Sequence, residues 1–184
     1  MSRILLLLLA VVMSFSMVGC GGGGGSTANL NTVSLSVSPA SNRLEADVST
    51  GNTCSATGVS SGGTLSTDTI SVAVTSAAYP NTLKPSPVTI QRIIISYVPA
   101  ISGVPAIPVY YDTGFVIPPN TTATAQVHVT DKLKLDLLNS FGFQLCSSNY
   151  FEYNVTITFE GVEDYTNKSV SFSTQVKVAF ADRV

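Results

Sequence analysis

Few side chains in this sequence are equipped for chemistry. His128 is the single histidine. It lies in Thr122–Val129, where Ala123, Ala125, Val127 and Val129 alternate with Thr124, Gln126 and His128. That alternation puts the imidazole on the polar face of a strand. A nucleophilic triad needs at least one histidine and zinc usually takes more, but on a polar face beside threonines this one reads as a surface residue. Glu160, Glu163 and Asp164, with Asn167 nearby, gather the hard oxygen donors that Ca²⁺ takes. Their spacing matches no EF-hand loop, and acidic residues in a solvated turn are the commoner outcome. Calcium is therefore carried only as an alternative. Two carboxylates facing across a cleft would suffice for a hydrolase, and a sequence alone does not place such a pair. The chain holds 11 Asp and Glu and no tryptophan, which argues against a carbohydrate site. No catalytic residues and no cofactor are expected.

The elements that must position these side chains are written in the composition. Only 11% of the 184 residues are charged. Ser and Thr supply the polar surface, beside Val and Ile, a composition that suits pleated strands. Nine basic residues against 11 acidic ones, with no basic run, exclude nucleic acid as a partner.

The chain opens Met1-Ser-Arg, and Arg3 precedes an apolar run from Ile4 to Val18. Fifteen residues are short for a spanning helix, which needs about 20, and fit a secretory signal instead. The run ends in Met17-Val18-Gly19-Cys20, which resembles a bacterial lipobox. Leucine is the usual residue where Met17 stands. The resemblance implies removal of residues 1–19, diacylglycerol on the Cys20 thiol and an acyl chain such as palmitate on its new amine. The alternative is an ordinary signal peptide cut nearby, with Cys20 incidental. Several acyl chains, at about 0.8 kcal/mol per buried CH₂, are enough for stable anchoring. On this reading residues 20–31, with Gly21–Gly25, form a flexible linker, and 32–184 form the folded module. Eleven coil residues reach roughly 18 Å.

The same resemblance settles the cysteine count. With Cys20 lipidated, Cys54 and Cys146 remain as an even pair in an oxidising compartment. A disulfide between them is expected, closing a loop of about 90 residues worth roughly 4–5 kcal/mol in the chain-entropy model. Two separately buried thiols are the other reading.

Period-two alternation marks the strands. Val33, Leu35 and Val37 share a face, as do Leu44, Ala46 and Val48, then Ile70, Val72 and Val74. Gly58–Gly63 reads as a Ser/Gly loop. Val88–Val98 is apolar on both faces, which indicates a central strand or a bulge near Gln91-Arg92. Val109–Ile117 holds one or two short strands. Asp131–Asn139 is either strand or helical turn. Phe151 to Phe159 and Val170 to Phe180 alternate cleanly and predict an antiparallel hairpin, joined by about eight residues.

The fold expected is all-β, an antiparallel immunoglobulin-like β-sandwich of about seven or eight strands. The chain is similar to small single-domain lipoproteins of Gram-negative bacteria in its Met17–Cys20 motif, glycine spacer and strand pattern. That resemblance implies a lipid-anchored, non-enzymatic binding or structural module of the cell envelope, at the outer membrane, with another envelope protein as partner. The alternatives are a carboxylate-based hydrolase and a small-ligand or calcium carrier. The binding candidate is the Pro99–Pro108 loop with Ile101, Val104, Ile107, Tyr110 and Tyr111, an unusually apolar set for an exposed tip. The competing reading has the same loop folded over the end of the sandwich as a plug. Edge strands offer a second route, by strand addition.

Overall fold

A computed structural model of the chain describes residues 25–47, 49–54, 60–65, 68–104, 106–129 and 151–181. Among them there is no helix, and hence none long and apolar enough to cross a membrane. Twelve strands are formed: β1 Thr27–Asn29, β2 Val33–Pro39, β3 Arg43–Asp47, β4 Ser49–Cys54, β5 Ser60–Leu65, β6 Asp68–Ala78, β7 Val88–Pro99, β8 Tyr110–Thr113, β9 Val116–Ile117, β10 Thr122–Val129, β11 Phe151–Glu163 and β12 Lys168–Ala181. One sheet runs β1-β2-β6-β10. A second runs β3-β12-β11-β7-β8, with β9 also on β7, and it curls into a half-barrel. Among the described residues, β4 and β5 pair only with each other.

The alternating residues do what period two demands. Val33, Leu35, Val37, Ile70, Val72, Val74 and Val127 from the first sheet join Val155, Ile157, Phe159, Phe172, Val176 and Val178 from the second in one buried cluster. Burying each such side chain is worth about 1.5–3 kcal/mol. Phe159 stacks on Phe172 across β11 and β12, with centroids 5.2 Å apart.

The double-sided apolarity of β7 has its cause in a bulge. Glu160 pairs with Arg92 and Gly161 with Ile90, so Gln91 has no opposite number. The extra residue turns both Gln91 and Arg92 outward while Ile90 and Ile93 stay buried. Gly161 is obligatory here, since a Cβ would lie 2.2 Å from the Thr89 carbonyl oxygen.

Several expectations need correction. Among the described residues twelve strands stand where seven or eight are expected, because the short pairings carry no hydrophobic alternation. Ser60–Leu65 is a strand rather than part of a Ser/Gly loop; backbone pairing builds the β4–β5 ribbon, with the Thr50 hydroxyl donating to the Thr64 carbonyl across it. The connection between β11 and β12 is four residues, 164–167, because pairing continues through Gly161, Val162 and Glu163. The sheets are not wholly antiparallel: β3 lies parallel to β12.

The folded part also begins earlier than residue 32. β1 pairs with β2, Leu30 is buried, and Ser26 is clamped between the sheets. Its N–H donates to the Ser173 carbonyl (3.3 Å), and its hydroxyl accepts from the Ser173 N–H (2.9 Å). Asp131–Asn139 lies outside the described residues.

Candidate functional site

The anticipated chemistry divides into groups used for structure and groups left open. Cys20 and Cys146 lie outside the described residues. Cys54 ends β4, its backbone paired with Ser60.

The three acidic residues raised for calcium are held apart by separate duties. Glu160 pairs with Arg92 across the bulge, Nε to Oε2 at 2.6 Å. Glu163 is fully buried. Its Oε1 accepts the Thr32 N–H (2.8 Å) and hydroxyl (2.6 Å), and its Oε2 accepts the Asn31 N–H (3.1 Å) and the Thr166 hydroxyl. Burial raises the carboxyl pKa, but these four donors outweigh it and hold it below the ordinary value. Asp164 uses its N–H on the Pro87 carbonyl. Among the described residues, no three His, Cys, Asp or Glu side chains come together as metal ligands.

Among the described residues, the other buried carboxylate is Glu152. It meets Arg43 at 2.5 Å and Lys177 at 3.3 Å. Burial raises its pKa as well, and the two cations bring the net value below normal. Glu152 and Glu163 are eleven residues apart on β11, about 36 Å along the strand. They form no acid–base pair.

The apolar loop resolves into two parts. Val104, Ile107 and Tyr110 pack against the core. Tyr110 meets Tyr97 edge-on at 6.2 Å, and Tyr97 meets Tyr153 at 6.0 Å. Burial pushes the phenols of Tyr97 and Tyr153 upward, so both stay neutral. Ile101 and Tyr111 remain exposed, in the company of Val98 and Val109. The loop thus divides into residues packed against the core and residues left exposed.

A groove missed by sequence reasoning lies where the β8–β9 connection faces β10. It has a volume of about 190 Å³ and is lined by Asp112, Gly114, Phe115, Thr124, Gln126 and His128. The phase of the β6–β10 ladder determines what β10 presents there. The Ser76 N–H donates to the Thr121 carbonyl at 2.8 Å, so Ala123, Ala125 and Val127 exchange bonds with β6. By alternation, Thr122, Thr124, Gln126 and His128 turn their backbone groups outward. The His128 N–H is directed to Asp112 Oδ2 at 3.5 Å, and the imidazole Nδ1 lies 3.4 Å from the same oxygen. Among the described residues, His128 is therefore a side chain on a sheet edge. Its one hint in the sequence was its place on the polar face of a strand. Nothing there shows which edge of β10 would be open.

Compared with family models, curated proteins and solved structures, the chain matches none.

Proposed function

We propose that this chain is a lipid-anchored protein of the bacterial envelope, held in the outer membrane through Cys20. Its β-rich module, read as an immunoglobulin-like sandwich, is a non-enzymatic element that binds another envelope protein. One observation carries the binding reading. Among the described residues, β10 ends its sheet with the backbone of Thr124 and Gln126 turned outward beside the groove at Phe115. An extended segment of a partner would add there as a further strand, with main-chain bonds giving affinity and the groove taking alternate side chains. The anchor rests on the Met17-Val18-Gly19-Cys20 pattern.

Two experiments test this. Cys20→Ser should release the protein from membranes, and the mass of the wild-type protein should include the acyl groups; tight association without lipid overturns the anchor. A photo-crosslinker at Gln126 in cells should capture a discrete envelope protein, and Thr124→Pro should abolish the adduct. An adduct insensitive to Thr124→Pro, or none at all, overturns strand addition. A Cys54–Cys146 disulfide is proposed alongside, and two free thiols in the mass spectrum of unreduced protein would refute it.

A further inference from the structure

We infer that the exposed apolar residues Val98, Ile101, Val109 and Tyr111 rest on the lipid bilayer that carries the anchor, so that the module stands on the membrane with its β11–β12 turn pointing away. The inference rests on the lipid-anchor reading of Cys20.

The direction of β1 comes first. β1 is antiparallel to β2, with Thr27 opposite Ser36 and Asn29 opposite Ser34. Gly25 therefore lies toward the Pro39 end of β2, packed against the Val37 carbonyl so closely that a Cβ has no room. Glu163 joins the start of β2 to the end of β11, and the Lys177 N–H donates to the Asn42 carbonyl just past β2. The Pro39 end is thus the end at which β7 runs out and β12 finishes. The chain arrives at β1 from that end.

The length of the tether comes second. Cys20 is six residues before Ser26, and six residues span at most about 20 Å however they are arranged. Ser26 is bonded to Ser173. Tyr153 pairs with both Val178 and Pro99, so Pro99 is level with a point five residues further along β12, about 17 Å away. The lipid headgroups can therefore lie no further out than roughly the level of the loop that follows Pro99. The eleven-residue spacer expected from sequence would have left a gap; incorporation of β1 into the sheet removes it.

The chemistry of that end comes third. From Val98 to Tyr111 there is no charged residue. Val98 is 56% exposed, Ile101 45%, Val109 47% and Tyr111 66%. Tyr111 pairs with Ile94 on β7, which places it on the same outer face as Val98. Aliphatic side chains with a tyrosine at their margin suit the interfacial zone, where an apolar face sinks about 5–10 Å. Toward this end Arg43 and Lys177 are paired with Glu45 and Glu152, and Asp112, which follows Tyr111, faces His128.

The absence of tryptophan supplies a clean test. Full-length lipidated protein carrying Ile101→Trp is reconstituted into phosphatidylethanolamine–phosphatidylglycerol vesicles, with and without brominated acyl chains. The introduced indole should shift to the blue and lose emission to the bromines. Leu83→Trp, in the β6–β7 connection at the opposite end and 102% exposed, should do neither. Tyr111→Trp gives an independent second reporter. Vesicle flotation separates the two readings. Protein that fails to float and lacks acyl mass overturns the anchor and this contact together. Protein that floats with an unquenched Ile101→Trp indole overturns the contact alone. A blue shift without bromine quenching means that a protein surface, a second copy or another chain, covers the loop, and it also overturns the contact. Equal quenching of Leu83→Trp overturns the orientation.

Discussion

Glu163 accepts both donors of Thr32, the backbone N–H at 2.8 Å and the hydroxyl at 2.6 Å, joining the start of β2 to the end of β11 across 131 residues. The Thr32 hydroxyl in turn accepts the Ser86 N–H at 2.9 Å, and the Ser86 hydroxyl accepts the Tyr165 N–H at 3.0 Å. Three connections at one end of the module are thereby tied to a single buried carboxylate. Glu163→Gln turns an amide NH₂ toward donors and should cost about 2 kcal/mol, lowering Tm by about 4–8 °C. Urea unfolding of the variant checks this, and an unchanged midpoint would show that the tie is dispensable.

The same carboxylate makes stability depend on acid. The folded-state pKa of Glu163 lies below its ordinary 4.5, so the unfolded chain binds the proton more readily. Its contribution is fully present above that ordinary value and is lost as pH falls through the folded one. Glu152, depressed by Lys177 and Arg43, acts with the same sign. Unfolding midpoints should drop between neutral pH and about pH 3, and the drop should be smaller in Glu163→Gln. Identical slopes in the two proteins would remove Glu163 as a source.

Gly161→Ala tests the bulge. The added methyl meets the Thr89 carbonyl 2.2 Å away and the Ile90 Cα 2.9 Å away. Backbone atoms cannot swing aside as a side chain can, so a loss of about 1–3 kcal/mol is expected. Thermal unfolding at the wild-type temperature would contradict the close approach.

Thr174 faces the core between Phe172 and Val176, and its hydroxyl is buried without a hydrogen-bond partner among the described residues. Replacement by the isosteric valine removes a desolvated polar group and should stabilise by about 1 kcal/mol. A lower unfolding midpoint for Thr174→Val would mean that the hydroxyl has a partner after all.

The phase of β10 is testable by paired prolines. The Ala125 N–H is turned to β6, so Ala125→Pro should cost about 3 kcal/mol. Gln126→Pro removes only an outward N–H and should cost far less. Equal losses would place the open edge on the other set of residues.

Alternation made most strands legible. Side chains of a strand point to opposite faces in turn, so a face that must be dry is written as every second residue. Val33–Val37, Ile70–Val74, Phe151–Phe159 and Val170–Phe180 could be read that way, and so could the disturbance near Gln91. β1, β4 and β5 could not, because pairing between backbones leaves no mark on side-chain type. Nor could the parallel placement of β3 on β12, which depends on where a three-residue crossing from one sheet to the other sets the chain down.

The residues with functional potential divide along the same line. The Met17–Cys20 pattern is local and can be read directly from the sequence. Whether a carboxylate can serve as a ligand or is a structural tie depends on donors brought to it from far along the chain. Glu163 belongs to Asn31 and Thr32 only after β2 and β11 have met. The apolar loop is likewise divided by position. Val104 and Ile107 found the core within reach, while Ile101 and Tyr111 were left facing outward. β1 then determined at which end of the module the chain arrives, because antiparallel pairing fixes its direction.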